Sequence, residues 1–187
     1  MFRWRLLLGV GVIGLLVVLA WADHLCPLPG TVLLPLAVGV SLLATGEFLA
    51  LATQAGAGCA AWPVYVGNIA LLLAAWIPAL QALSHPGGDT SGGPGPTAIW
   101  AAERWILLTL AGALLLAMFE EIRRFTGPGG ITARLGVASL GLLYGGLLLS
   151  FLVLLRMGYG IGALASLIIV VKMADTGAYF VGHLLGR

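Results

Sequence analysis

Charge is scarce in this sequence: only 9% of its 187 residues are Asp, Glu, Lys or Arg, against 60% hydrophobic residues. With a mean hydropathy of +1.08, that scarcity excludes a soluble domain, since no core of this length needs so much apolar material. Nine basic residues face seven acidic ones, too small an excess for a basic patch, and no nucleic-acid partner is expected. Cysteine is nearly absent: Cys26 and Cys59 are the two, which excludes a disulfide framework. No sequence repeat stands out either, so nothing suggests the inverted halves of a transporter.

What the sequence has in abundance is long apolar runs. Crossing a hydrocarbon layer of about 30 Å takes about 20 apolar residues, and such stretches fall at Leu6–Ala22, Val32–Ala52, Trp62–Leu83, Arg104–Phe119, Ala133–Leu155 and Ile161–Gly182. The expectation is an all-α, polytopic membrane helical bundle of about six transmembrane helices, in one transmembrane domain over residues 1–187 and embedded in a lipid bilayer. The fourth span is the shortest. Trp62, Trp76, Trp100, Trp105 and Tyr144 include several aromatics near span ends, where interfacial belts form.

The basic residues orient the bundle. Arg3 and Arg5 precede the first span, and Arg123, Arg124 and Arg134 lie between the fourth and fifth. The positive-inside trend puts both segments in the cytoplasm of a multi-pass inner-membrane protein. Six crossings then return Asp175 to the cytoplasmic side, where nucleotides are available. Cys26 falls in an outer loop and Cys59 in an inner one. The first span has a secretory alternative, with a basic start and a small-x-small Ala20-Trp21-Ala22, but so hydrophobic a remainder favours an uncleaved helix.

Ser84 to Thr97, SHPGGDTSGGPGPT, is a Gly/Pro/Ser-rich outer loop, and His85 and Asp89 within it read as solvated loop residues rather than metal ligands. Thr126-Gly127-Pro128-Gly129-Gly130 punctuates the inner side. Glycines inside the apolar runs, including the GLLYG spacing from Gly141 to Gly145, make faces on which helix backbones approach closely. Packing within the bundle is the first expectation for them, and a homodimer seam the second.

Polar residues inside the spans are few. Glu47, in LLATGEFLALA, must meet a partner or water rather than lipid, and structural and functional roles are both open. Asn68 and Gln81 read as interhelical hydrogen-bond glue. Arg156 ends the fifth span on the outer side, against the positive-inside trend. It either snorkels to the interface or points inward to a buried acid.

The last span differs in kind. At 100° per residue, Asp175, Thr176, Tyr179 and His183 all fall within about 60° of Lys172, one polar stripe on an apolar helix. Asp175 is a hard oxygen ligand suited to Mg²⁺, which takes one or two carboxylates and fills its other positions with water and phosphate. Lys172, one turn earlier, can neutralise a phosphate, and Thr176 and Tyr179 can donate hydrogen bonds. The alternative is a Lys172–Asp175 ion pair at helical spacing with no ligand. Spacing alone leaves the two level.

The wording of LGLLYGGLLLSFLVLLRMGYG, followed by VVKMADTGAYFVGHLLGR, resembles the phosphatidate cytidylyltransferase (CDP-diacylglycerol synthase) family. In that family a Tyr-containing helix ending Leu-Leu-Arg precedes one ending Asp-Thr-x-Ala-Tyr-Phe-x-Gly-Arg. Glu47-Phe48 is similar to an early Glu-Phe or Glu-Tyr of these enzymes. The resemblance is carried best by Gly136 to Arg187 and implies transfer of a cytidylyl group from CTP to phosphatidate, forming CDP-diacylglycerol and pyrophosphate in phospholipid biosynthesis. It implies Asp175 as ligand to a Mg²⁺ cofactor, Lys172 beside it in catalysis, and Arg156, Thr176, Tyr179 and His183 as substrate contacts, with Glu47 a further candidate.

Two departures stand out. His183 replaces the family's Arg, so a fixed charge gives way to a group with an ordinary pKa near 6.5. The C-terminal signature rich in Lys, Asp, His-Gly-Gly and Asp-Arg does not occur among residues 1–187. The chain is therefore expected to be the N-terminal portion of a longer enzyme, C-terminally incomplete and without turnover by itself. The competing expectations are a CTP-dependent lipid kinase and a small ion-coupled membrane transporter.

Overall fold

The computed structural model describes residues 30–84, 96–125, 127 and 129–185, with positions 14, 18, 19, 21–23, 25 and 26. All regular structure among them is helical. In chain order it comprises α1 (Leu33–Gln54), α2 (Ala61–Ser84), α3 (Pro96–Arg123), α4 (Ile131–Leu142), a π-helical turn (Leu143–Leu147) and α5 (Leu148–Leu185). Leu33–Gln54, Ala102–Arg123 and Ile131–His183 are long and apolar enough to cross a membrane, and Ala61–Ile77 is a shorter apolar stretch. The architecture is the expected helical membrane bundle. Most of the expected first span, and residues 85–95 of the expected loop, lie outside the described residues.

One expectation changes. The fourth span, expected only over Arg104–Phe119, belongs to a helix of 28 residues. Pro96 occupies its first position, where a missing N–H costs nothing, and Glu120 pairs with Arg123 and Arg124 at i,i+3 and i,i+4, carrying the helix past the apolar window. The fifth and sixth spans are separate helices, as expected: the fifth runs from α4 through the π turn into the first arm of α5, and the two arms of α5 meet at Gly160, where φ is 80° and ψ is −176°. That region of backbone space is essentially open to glycine alone. The chain therefore turns at the expected boundary on a single residue.

α1 ends in a Schellman motif. Gly56 adopts φ 78°, its N–H donates to the Thr53 carbonyl, and the Ala57 N–H donates to the Ala52 carbonyl, so the last carbonyls of the helix are satisfied. α2 lies at the centre, packed against α1, α3, the π turn and α5. One core cluster gathers Leu49, Val64, Ala113, Ala117, Ala138 and Leu142, and a second gathers Leu71, Ala74, Ala75, Ala102, Ile106 and Leu154.

Between them runs a thin polar inlay. The Asn68 amide donates to Thr45 Oγ1 at 2.7 Å and to the Gly141 carbonyl at 3.3 Å, while Ser41 Oγ donates to the Gly145 carbonyl at 2.5 Å. Asn68 is thus the expected interhelical glue. The widened π turn leaves carbonyls without their usual helical donors, and side chains from α1 and α2 take that place. Glycine is required at this contact: a Cβ on Gly145 or Gly146 would stand 2.5 Å from the Asn68 amide atoms. The GLLYG face is therefore covered within the chain, as first expected.

Candidate active site

Each end of the bundle is closed by a charged cluster. At one end, Arg156 Nη2 stands 2.7 Å from Asp23 Oδ2 and its Nε donates to the same oxygen at 3.0 Å. Asp23 also accepts the backbone N–H groups of Gly30 and Val32, each at 3.2 Å. Both side chains are buried, Asp23 completely. A carboxylate with two amide donors and a forked guanidinium is the geometry in which a buried ion pair can hold. Of the two expectations for Arg156, the inward one with a buried acid is the one observed.

At the other end, α3 and α4 are clasped by an ion pair between Glu121 and Arg134, while Arg124 Nε donates to Glu120 Oε1 at 2.8 Å. Cys59, in the link from α1 to α2, sits beside this cluster. Burial pushes its thiol pKa up, a backbone hydrogen bond pulls it partly back, and the Glu121 carboxylate adds a smaller upward push. Both cysteines are free thiols, as expected.

The expected stripe lies on the part of α5 beyond Gly160. Lys172, Asp175, Thr176, Tyr179 and His183 are all exposed, and they share one helix face by spacing. Lys172 Nζ stands 3.9 Å from Asp175 Oδ2, with both side chains more than 60% exposed, a loose contact of the kind worth little on a solvated surface. Thr176 Oγ1 donates to the Lys172 carbonyl at 2.8 Å, so its hydroxyl proton is turned into the helix. The rings of Tyr179 and His183 stack with centroids 6.1 Å apart and planes within 2°. The stripe therefore offers, in order along the helix, a cation, a carboxylate and a flat ring pair.

Glu47 is exposed on α1, and no hydrogen bond or ion pair among the described residues joins it, or Arg156, to the stripe. The fit of a divalent cation rests on Asp175: no group of three or more His, Cys, Asp or Glu side chains converges among the described residues. One carboxylate suits a Mg²⁺ ion whose remaining ligands are water and substrate phosphate.

Asp23 and the pair Glu120 and Glu121 are charged partners that sequence reasoning missed. Glu120 had a local signal, because it lies three and four residues before Arg123 and Arg124. Asp23 had none beyond the unexplained arginine 133 residues away.

Comparison with curated proteins and with solved structures finds no match. The model of the cytidylyltransferase family, whose members are CTP-using nucleotidyltransferases, matches residues 3–187. With nearly its whole length covered by that family's model, and Asp175 to Tyr179 exposed on α5, the chain belongs to the cytidylyltransferase family.

Proposed function

We propose that this chain serves cytidylyl transfer from CTP to phosphatidate in phospholipid biosynthesis, at the cytoplasmic face of the inner membrane. The observation that carries the reading is the stripe itself: an aspartate with a free carboxylate face, one turn from a lysine, on a helix otherwise apolar enough to lie in the membrane. Lipid would penalise such a face, whereas a reaction joining a membrane lipid to a soluble nucleotide needs one.

In the reaction a phosphate oxygen of phosphatidate attacks the α-phosphorus of CTP. One P–O bond forms, the bond between the α-phosphorus and its bridging oxygen breaks, and pyrophosphate leaves with the electron pair. Asp175 is the residue that would hold Mg²⁺, which when bound neutralises charge on the phosphate oxygens. Lys172 places a compact positive charge one turn away, so a phosphate held near Asp175 would also meet an ammonium. Its loose contact with Asp175 leaves it able to turn to a substrate. The stacked Tyr179 and His183 rings present an aromatic surface further along the same face. The work of these residues is alignment and charge neutralisation, the terms that dominate transfers between phosphates.

The test uses the purified chain in nanodiscs containing phosphatidate, with CTP labelled at the α or the γ phosphate and Mg²⁺. Retained nucleotide is the primary readout. The reading expects retention that Asp175→Asn abolishes. Any lipid label should come from the α position. Label from the γ position would instead establish a CTP-dependent lipid kinase. Retention unchanged by Asp175→Asn would overturn the assignment of this face.

A further inference from the structure

The charged end near Cys59 holds a cleft of about 120 Å³ lined by Gly58, Cys59, Ala60, Glu121, Arg124 and Arg134. At about 30 Å³ per water, it has room for a few waters or one tetrahedral oxyanion. It falls well short of the 300 Å³ or more of pockets that enclose a drug-sized ligand. A whole nucleotide does not fit within it. Its walls come from three separate places: the link between α1 and α2, the end of α3 and the first turn of α4.

The charge at this end is positive. Arg123, Arg124 and Arg134 face Glu120 and Glu121, leaving one positive charge uncompensated. The two arginines of the cleft also keep donors in reserve. Arg124 gives its Nε to Glu120. Arg134 gives its Nε to Glu121 and reaches the Gly129 carbonyl with Nη1 at 3.4 Å. Both terminal nitrogens of Arg124 and Nη2 of Arg134 have no hydrogen-bond acceptor among the described residues. A guanidinium held through Nε by a carboxylate, with its terminal nitrogens open, is preorganised for a second oxyanion.

We propose that this cleft binds a phosphate group, with Arg124 and Arg134 as its two ligating side chains. It lies where the apolar runs of α1 and α3 end, at Gln54 and Arg123, which is the level of lipid headgroups. A headgroup phosphate and a free phosphate share the chemistry it recognises. The inference stands apart from the cytidylyl-transfer reading, since it involves none of the stripe residues.

Cys59 lines the cleft and serves as a reporter, since a phosphate bound there would restrict the approach of a reagent to it. With Cys26→Ser removing the other cysteine, the rate of Cys59 alkylation by N-ethylmaleimide is measured on the whole chain in detergent. Inorganic phosphate and dihexanoyl phosphatidate are the probes, and sodium chloride at matched ionic strength is the control. The expected result is saturable slowing by a phosphate probe beyond that of chloride. Protection by phosphatidate alone assigns the site to a lipid headgroup, and protection by inorganic phosphate assigns it to free phosphate. Arg124→Gln, on a side chain 58% exposed, should raise the half-protecting concentration by about tenfold or more, the usual effect of losing a charged hydrogen bond. Glu121→Gln should lower it, which tests the site without relying on the folding of the Arg124 variant. No slowing beyond chloride, or equal protection in the parent and both variants, would overturn the proposal.

Discussion

Replacing Arg156 with leucine separates a structural from a substrate-binding role for that residue. At 2.7 Å from Asp23 and an effective dielectric constant of about 20, the pairwise attraction is about 6 kcal/mol. Desolvation of both ions opposes it, so the net worth of the intact pair is far smaller. The variant nevertheless keeps the desolvation cost of Asp23 and loses the attraction. Breaking one side of a buried pair costs about 3–5 kcal/mol, and because two amide N–H groups still bind the carboxylate, the lower half of that range is expected. The double variant Asp23→Asn/Arg156→Leu removes both charges and keeps an oxygen for the Gly30 and Val32 amides, so its total loss should be only about 1–2 kcal/mol. With Asp23→Asn alone also costing stability, the coupling between the two sites is then at least about 1 kcal/mol, read from reversible unfolding in mild detergent. Strictly additive losses, or Arg156→Leu within about 1 kcal/mol of the parent, would refute the argument. Loss of CTP retention with unchanged stability would move Arg156 to the substrate.

Three further outcomes follow from the packing and from Cys59. Gly145→Ala or Gly146→Ala puts a Cβ 2.5 Å from the Asn68 amide and should cost about 1–3 kcal/mol in the same unfolding measurement, whereas Gly136→Ala, with nothing within 4 Å, should not destabilise. Gly160→Ala forces an alanine to φ 80° and should cost about 1–3 kcal/mol, while Gly162→Ala, on helical backbone with open space around it, should be neutral or stabilising. Since Glu121 helps hold the Cys59 thiol protonated, Glu121→Gln should lower its pKa, raise the thiolate fraction at a fixed pH below that pKa and speed alkylation. A pH–rate profile that stays in place, or moves to higher pH, would contradict the assigned cause.

What the sequence made legible was whatever depends on near neighbours. The stripe from Lys172 to His183 follows from helical spacing alone, and the structure keeps its five residues on one exposed face. The apolar runs mark α1, α2 and the two arms of α5 for the same reason, since length and hydropathy are local quantities. Hydropathy failed at the end of α3, where Glu120, Arg123 and Arg124 look like a boundary to an apolar window but hold one another within the helix. The π turn was also hidden: its place follows from which side chains on α1 and α2 reach the Gly141 and Gly145 carbonyls, a matter of three-dimensional register.

Arg156 shows how a local anomaly can point to a distant cause. An arginine at a span end expected to be the outer one opposes the trend by which the other basic residues orient the chain, and a free cation there would need water or headgroups. Its burial to 9% side-chain exposure removes that option. A buried guanidinium requires a carboxylate, and the acid must come from an element ending at the same level of the bundle. Asp23 meets that condition beside the entry to α1, at the end of the bundle that the first arm of α5 also reaches. The Gly30 and Val32 amides, at the entry to α1, bind the same carboxylate, which fixes the entry of α1 and the end of α5's first arm to one point. Gly160 then turns the chain four residues later, so the direction in which the Asp175 helix leaves the bundle is set from an anchored base.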